Sequence, residues 1–280
     1  MPLITIPREM GSLGKDVAAQ VALQLGKKVI HHEIVDHLAD KLRMRKTHVV
    51  RFLEGKAGIL EKMSTDHTSL SIFTADEIWR IAASGDVGVI RGWGANHLLK
   101  PIPHVVRVRV CAPFDLRVKR MMERLNTTDQ AAVEKEIRLS EEAIAAITRR
   151  HFDVNWTDAE HYDLVLNTER ISVENCADQV MQLIKSPRFA ETPESLQKLR
   201  NLAMAANVRA ALRGDERTRK LNITIDVADG HATLSGIVEN DSALKKTADV
   251  AATVPGITGV TNNLKEMSGA YRRFTSEEPR

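Results

Sequence analysis

The sequence is poor in several residue classes, and each shortage excludes a class of protein. Of the 280 residues, 2 are cysteine and 4% are aromatic. Cys111 and Cys176 lie far apart without metal-ligand spacing, so we expect neither a disulfide framework nor a zinc site. No run approaches the ~18 apolar residues that a membrane-spanning helix needs, and no charged-then-apolar leader opens the chain. The expectation is a cytoplasmic protein with two buried thiols and no transmembrane segment.

Neither sign of charge dominates the composition. There are 40 basic and 37 acidic residues, which give a formal net charge of +3 at pH 7. A balance this small, with no long block of like charge, does not indicate a nucleic-acid partner. The length permits one large domain or two ordinary ones, and either could bury a substantial core.

The richest pattern lies at the start of the chain. The apolar run 3–6 leads into Arg-Glu-Met-Gly-Ser-Leu-Gly-Lys at 8–15, and an amphipathic helix pattern follows at once. A short buried strand, a glycine-containing turn and a helix N-terminus bring backbone N–H groups, a helix dipole and one ammonium to a single anionic site. This order predicts a phosphate-binding loop.

The loop departs from the common pattern G-x-x-x-x-G-K-[ST] at two of its four fixed positions. Gly14 and Lys15 match, whereas Glu9 stands at the first glycine and Asp16 at the hydroxyl residue. On spacing alone, a strand-to-helix turn whose glycines only allow close packing is an equal alternative. Patterns elsewhere in the chain are needed to distinguish a phosphate-binding loop from a turn.

Strand and helix patterns alternate from this loop to residue 184. Apolar runs begin at 29, 87, 104 and 162, each is followed by a helical pattern, and 46–84 is typical of further helix. Together with the first run they make five strands separated by helices, which favours a parallel sheet. We therefore predict an α/β fold, a three-layer α/β/α domain with a parallel five-stranded sheet.

A change of pattern at 186–194 marks a domain boundary, because this stretch has two prolines and no apolar periodicity. Beyond it, a helical pattern precedes two period-two runs that an Asp-Gly pair at 229–230 joins, which predicts a β-hairpin. Another helix and strand close a small α+β unit. The predicted domains are 1–188 and 195–267, with a polar tail at 268–280.

Several blocks of the first domain resemble, in order, the cytidylate-kinase-like family of phosphate-loop nucleoside monophosphate kinases. The blocks are 4–15, 89–96, 106–113 followed by Arg117 and Arg120, and Trp156 with 162–168. In that family an Arg-Glu pair often replaces the first glycine, and an acidic residue can follow Gly-Lys. The resemblance therefore makes the departures at Glu9 and Asp16 a family pattern.

Residues 195–267 are similar to a BON domain. The similarity rests on Asp229-Gly230 and on the blocks 234–236, 255–257 and 260–262. Tight turns are enough to explain the glycines of these blocks, so the blocks do not indicate which ligand the domain binds. The resemblance implies a module that binds lipids or other small ligands.

The kinase resemblance implies ATP and magnesium as cofactors and a nucleotide as substrate. The residues that it assigns to the ATP phosphates are Arg8, Gly11, Ser12, Leu13, Gly14, Lys15 and Asp16. Asp16 is also the candidate magnesium ligand, and a plain acidic residue facing solvent in the first helical turn is the equal alternative.

The acceptor is expected at the carboxyl edge of the sheet, where ligands of open α/β folds lie. The candidate residues there are Arg91, Gly92, Trp93 and Asn96, with a glycine turn and a packed tryptophan as the alternative reading. His31, His32 and Asp36 open the helix after the second strand and could reach the acceptor, whereas histidines there are more typical of a helix terminus or of the surface.

Catalysis of phosphoryl transfer depends mainly on positioned cations. The candidate catalytic residues are Lys15, Arg117, Arg120, Arg149 and Arg150, and Arg124 and Arg138 are further arginines of the same helices. The family often has Asp-x-x-Arg in the helix at 129–150, and the matching positions here are Glu141 and Ile144. The missing arginine puts turnover in question.

Three hypotheses follow from these patterns. The first is a kinase that transfers the ATP γ-phosphoryl group to a nucleoside monophosphate or related acceptor, with CMP as the family-based choice. The second is a nucleotide-binding regulator with little or no turnover, acting through the BON-like domain. The third is a binding module at 195–267 with the first domain as a scaffold, which the intact Gly14-Lys15 disfavours.

Overall fold

The computed structural model describes residues 2–7, 9–31, 33–42, 44–53, 67–92 and 94–267. These residues form two compact units. The first unit contains the described residues up to 53 together with 84–195, and the second contains 67–83 and 196–267. The tail predicted at 268–280 lies outside the described residues.

The first unit is built on a five-stranded sheet. Side by side, its strands are β2 (Lys28–Ile30), β3 (Val87–Arg91), β1 (Leu3–Ile6), β4 (Val105–Cys111) and β5 (Leu164–Asn167). All neighbouring pairs are parallel, which confirms the predicted sheet. Every residue of the central strand β1 is buried, because helices cover both of its faces.

The described helices are, in chain order, α1 (Gly14–Leu25), α2 (Glu33–Leu42), α3 (Lys46–Leu53), α4 (His67–Ala83), α5 (Ala95–Leu98), α6 (Phe114–Leu125), α7 (Gln130–Phe152), α8 (Val173–Leu183), α9 (Pro193–Gly214) and α10 (Asp241–Ala252). The helix predicted across 46–84 is observed as α3 and α4, and 54–66 lies outside the described residues. None of the helices in the described ranges combines the length and the apolar character needed to cross a bilayer.

One face of the sheet forms the main apolar core. Ile4 and Ile6 of β1 pack there with alternate valines of β4 and with buried residues of α1 and α8. The other residues of β4 point to the opposite face because side chains alternate along a strand. Arg107 and Arg109 therefore project from the face that lacks this core.

The second unit contains a three-stranded sheet in the order β6 (Thr224–Ala228), β7 (His231–Val238) and β8 (Gly259–Glu266). β6 and β7 are antiparallel, and β8 runs parallel to β7. Asp229 and Gly230 join the hairpin with φ of 50° and 82°, the paired positive values of a tight hairpin turn. The predicted small α+β region is confirmed.

Helix α4 belongs to this second unit although it precedes most of the first unit in the chain. It carries buried Leu70, Phe73 and Trp79. At its start, the Arg213 Nε group of α9 donates a hydrogen bond of 2.6 Å to the Ser69 hydroxyl. The second unit is therefore assembled from two separate stretches of chain.

Candidate functional site

The loop between β1 and α1 has a left-handed backbone at two positions. Gly11 has φ of 79° and Leu13 has φ of 61°. Between them, Ser12 is fully buried, and its hydroxyl donates to the Glu9 carbonyl at 2.9 Å and accepts from the Gly14 N–H at 3.3 Å. The Ser12 side chain thus braces the loop from within and is not directed outward.

Gly11 is required by close packing as well as by its backbone angle. A Cβ atom at this position would lie 2.7 to 2.9 Å from the backbone oxygen, Cβ and Cα of Arg117. Real Cβ atoms do not approach other heavy atoms so closely. The glycine therefore lets the loop lie directly against α6.

Several donors of the loop have no partner within the described part of the chain. The N–H groups of Gly11, Leu13 and Lys15 donate no hydrogen bond there. The Lys15 side chain is exposed and forms no ion pair with a described residue. These groups stand at the N-terminus of the twelve-residue helix α1, where the helix dipole favours an anion. The residues present fit a phosphate group.

Asp16 follows in the first turn of α1 and is exposed. Among the residues that the structure describes, no group of three or more His, Cys, Asp or Glu side chains is placed to hold a metal ion. Magnesium in kinases commonly uses one or two carboxylates together with phosphate oxygens. Asp16 fits that mode, in which a single carboxylate is the protein's ligand and nucleotide phosphates and water supply the others.

Arg120 connects the loop to the end of β5. Its guanidinium donates to the Gly11 carbonyl at 3.5 Å, to the Thr168 hydroxyl at 2.9 Å and to the Thr168 carbonyl at 2.7 Å. The Thr168 hydroxyl in turn donates to the Ser12 carbonyl at 2.9 Å. Arg120 and Thr168 therefore hold the loop through its carbonyl groups and engage none of its N–H groups.

Arg117 is buried, with 5% of its surface exposed. Its Nε donates to the Ala112 carbonyl at 3.1 Å and Nη1 to the Met10 carbonyl at 3.3 Å. Nη2 lies 2.7 Å from Oε1 of Glu141 on α7. Each nitrogen of this guanidinium thus has a protein oxygen, and Glu141 is the partner that sequence reasoning missed.

Glu9 points into the protein beside two arginines. Its side chain is 5% exposed, with Oε2 at 3.7 Å from Arg109 Nε and Oε1 at 3.9 Å from Arg117 Nε. Glu9 Oε2 and Arg109 Nε are buried and have no hydrogen-bond partner among the residues that the structure describes. Burial raises the pKa of Glu9 to about 6, outweighing the lowering effect of the two arginines.

Arg109 is held on its other side by aromatic and backbone groups. Its Nη1 donates to the Thr157 carbonyl at 2.6 Å, and its guanidinium carbon lies 5.3 Å from the centroid of the Trp156 ring. Arg107, two residues earlier on the same face of β4, makes three hydrogen bonds to the Asp163 carboxylate. The signal for both residues was available, because two arginines at period two interrupt an otherwise apolar strand.

The candidate acceptor residues lie after β3. The Gly92 N–H donates to the Ile6 carbonyl at 2.9 Å, which joins this turn to the end of β1. Asn96 is 4% exposed and its amide nitrogen has no partner within the described residues. Arg91 is half-buried, and its carbonyl lies 3.2 Å from His31 Nδ1. Arg8, His32 and Trp93 lie outside the described residues.

The remaining candidate arginines are on the surface. Arg149 and Arg150 are exposed in the last turn of α7 and form no ion pair with a described residue. Arg124 is exposed near the end of α6. Arg138 lies 4.3 Å from the centroid of the Phe114 ring. Among the predicted arginines that the structure describes, Arg117 and Arg120 contact the loop, and both donate hydrogen bonds to its backbone carbonyl groups.

The sheet order and the strand, loop and helix at its centre define the protein class: a phosphate-loop, kinase-like α/β/α fold. The model of the cytidylate kinase-like family matches residues 3–170. The match covers more than half of the chain, which therefore belongs to that family. The BON domain model matches residues 202–266, after the kinase-like region.

Individual proteins give weaker likenesses. A uronate isomerase of Corynebacterium glutamicum is 32% identical over 103 residues, which is 36% of this chain and 19% of that protein. The match thus spans about a fifth of the relative's length.

Solved structures resemble the fold. An uncharacterized protein from Eubacterium ventriosum has a TM-score of 0.53 and 20% identity, covering 66% of this chain and 99% of the other. Shikimate kinase from Acinetobacter baumannii, solved with shikimate, has a TM-score of 0.41 and 16% identity, covering 68% and 96%.

Proposed function

We propose that the protein is a nucleotide-binding phosphotransferase that moves the γ-phosphoryl group of ATP to a nucleoside monophosphate or a related small acceptor. The proposal includes a cytoplasmic location, where ATP is available. The observation that carries it is the set of loop N–H groups at Gly11, Leu13 and Lys15, which donate no hydrogen bond to another described residue. Family membership supports the same reaction class.

The residues of this chain would act mainly by positioning. The loop N–H groups and the Lys15 ammonium would hold the donor phosphates and offset the charge that develops on their oxygens. Bound magnesium would neutralise further phosphate charge, with Asp16 as the residue that would hold it. Arg117 and Arg120 would keep the loop in shape through its carbonyl groups, and exposed Arg149 and Arg150 would be available to approach the phosphates from α7.

The test compares Lys15→Ala with Lys119→Ala, since Lys119 is an exposed lysine on α6. Isothermal titration with Mg-ATP measures binding, and a coupled assay with a panel of nucleoside monophosphates measures turnover. We expect Lys15→Ala to lose most ATP affinity and all measurable turnover, whereas Lys119→Ala retains both. Wild-type protein that binds no ATP would contradict the proposal.

A nucleotide-binding regulator with little turnover is the second candidate. The observation that favours it is that Arg117 and Arg120 are engaged by protein oxygens, while Ile144 occupies the position of the family's helix arginine. If ATP binds and Lys15→Ala abolishes binding, but no acceptor of the panel yields product, the regulator replaces the kinase.

For the second unit we propose binding of a lipid or another small ligand. Its support is the BON domain match and Ile237 on β7, which is 63% exposed. Flotation of the full chain with anionic and with neutral vesicles tests this proposal. Ile237→Ser should reduce the amount of protein that floats with the vesicles, and Thr233→Ser should not. If the wild type and both variants stay equally in the vesicle-free fraction, the proposal is contradicted.

A further inference from the structure

The C-terminal end of α7 lies against the segment that follows β3. Phe152 is the last residue of α7, and the centroid of its ring lies 5.1 Å from that of His97 on α5. A Cβ atom at Gly94 would lie 2.9 Å from Phe152 Cε2 and 3.3 Å from Phe152 Cζ. The ring therefore packs against residues 94–97, here called the acceptor segment because it contains the acceptor candidate Asn96.

Gly94 meets two separate requirements at the start of this segment. Its φ is 72°, in the left-handed region that favours glycine, and the Phe152 ring occupies the space that a side chain would need. The Gly94 carbonyl accepts hydrogen bonds of 3.0 Å from the N–H groups of His97 and Leu98. Phe152 thus contacts the residue from which α5 begins.

The acceptor segment is held by two sets of contacts. Ala95 and Asn96 are 1% and 4% exposed, which fixes them against the interior of the first unit. Gly94 and His97 flank this pair in the sequence, and both contact the Phe152 ring. Loss of the ring would therefore remove support on both sides of Asn96.

The helix that carries Phe152 is itself anchored. Glu141 Oε1 of α7 lies 2.7 Å from Arg117 Nη2 of α6. Val133 and Ile137 of α7 are buried and pack in one apolar cluster with residues of α6. The same helix reaches Phe152 roughly 16 Å beyond Glu141, at about 1.5 Å per residue. The position of the ring is therefore set by contacts with α6 that involve no residue of the acceptor segment.

We propose that Phe152 is a positioning residue for the acceptor: by packing on Gly94 and His97, it fixes Asn96 for contact with that substrate. The acceptor is a nucleoside monophosphate or a related small molecule, so this role rests on the proposed kinase function, whereas the packing contact does not. A residue that only positions the acceptor changes the KM for the acceptor and leaves kcat nearly unchanged. A residue needed only for folding lowers the amount of active enzyme and leaves the KM values unchanged.

The test compares Phe152→Leu with Phe189→Leu in the full chain. Phe189 is the matched control, because it is also partly buried in the first unit, where it packs on the main apolar core. Steady-state kinetics use Mg-ATP and the nucleoside monophosphate that gives the highest wild-type turnover. Phe152→Leu should raise the KM for this acceptor about two- to tenfold, the size of one aromatic contact, with kcat and the KM for ATP within about twofold of wild type. Phe189→Leu should leave all three unchanged.

A second measurement tests the packing contact without turnover. Leucine lacks the Cε2 and Cζ atoms that approach residue 94. Gly94→Ala should therefore accelerate hydrogen exchange in peptides covering 92–99 by a smaller factor in the Phe152→Leu protein than in the wild type. The cost of a positive φ at residue 94 is common to both backgrounds and cancels in this double-mutant comparison.

An acceptor KM that Phe152→Leu does not raise, or that Phe189→Leu raises equally, would overturn the positioning role. Equal acceleration of exchange by Gly94→Ala in the two backgrounds would overturn the packing contact. Failure of the kinase function gives a different result, because the wild type then yields no product with any acceptor, and the acceptor role of Phe152 is lost with it. An active wild type with an unmoved acceptor KM in the variant contradicts the role of Phe152 alone.

Discussion

Replacing Arg117 by methionine should lower the free energy of local opening of the phosphate-binding loop and α6. The substitution keeps most of the buried side-chain volume and removes the guanidinium, which leaves the Met10 and Ala112 carbonyls and the Glu141 carboxylate without their donor. Breaking a buried ion pair by removing one partner costs roughly 3–5 kcal/mol. Glu141 is 30% exposed and water can replace part of its loss, so we expect about 3 kcal/mol.

Hydrogen exchange measured by mass spectrometry is the suitable assay, because a chain with two compact units need not unfold in one step. A change of about 3 kcal/mol corresponds to roughly 100-fold faster exchange in peptides covering 9–16 and 112–125. Peptides covering β6 and β7 should be unchanged, which separates local opening from general instability.

The matched control is Arg138→Met on α7. Arg138 is exposed and lies over the Phe114 ring, a contact worth about 0.5–1 kcal/mol at such a site. Its exchange should rise less than about tenfold. If Arg117→Met accelerates exchange by less than the control does, Arg117 does not hold the loop.

Three further predictions concern the same region. The pKa of Glu9 in the folded state is about 6, above its usual 4.5. Ionisation of Glu9 therefore destabilises the folded state progressively as the pH rises from 4.5 through 6. At pH values above 6, Glu9→Gln should raise the free energy of unfolding by about 2 kcal/mol. Thermal melts between pH 4.5 and 8 check this, and an advantage that does not grow with pH counts against it. Gly11→Ala should destabilise by more than the ~1 kcal/mol of a positive φ alone, because its Cβ would meet Arg117; a melting temperature within error of wild type would be inconsistent with that contact. Burial lowers the pKa of His97 to about 4, so its NMR ring signals should not shift between pH 8 and 5, and a midpoint near 6.5 would contradict the burial.

The strands and their alternation with helices were predictable from the sequence because they depend on local apolar periodicity. The predicted runs at 87–90 and 104–110 correspond to β3 and β4 within one residue at each end. Gly14, Lys15 and the helix that they open were also predictable, since strand, turn and helix are contiguous in the chain.

The pairings around the loop were not predictable from such patterns. Glu9 meets Arg109 and Arg117 across about a hundred residues of sequence, and Glu141 reaches Arg117 from another helix. Periodicity places a side chain on a face but does not choose its partner. The roles predicted for the individual site residues stay predictions until the loop and acceptor variants are measured.

Helix α4 has a consequence for how the chain is made. Its partners in the second unit begin at residue 196, so α4 is synthesised more than a hundred residues before them. The last strand of that unit ends at Glu266. At about 5–20 residues per second, the helix with its buried Leu70, Phe73 and Trp79 is therefore made roughly 9–37 seconds before its own unit can form. Within that interval the nascent chain carries an unburied apolar helix, which is a natural point for a chaperone to engage it.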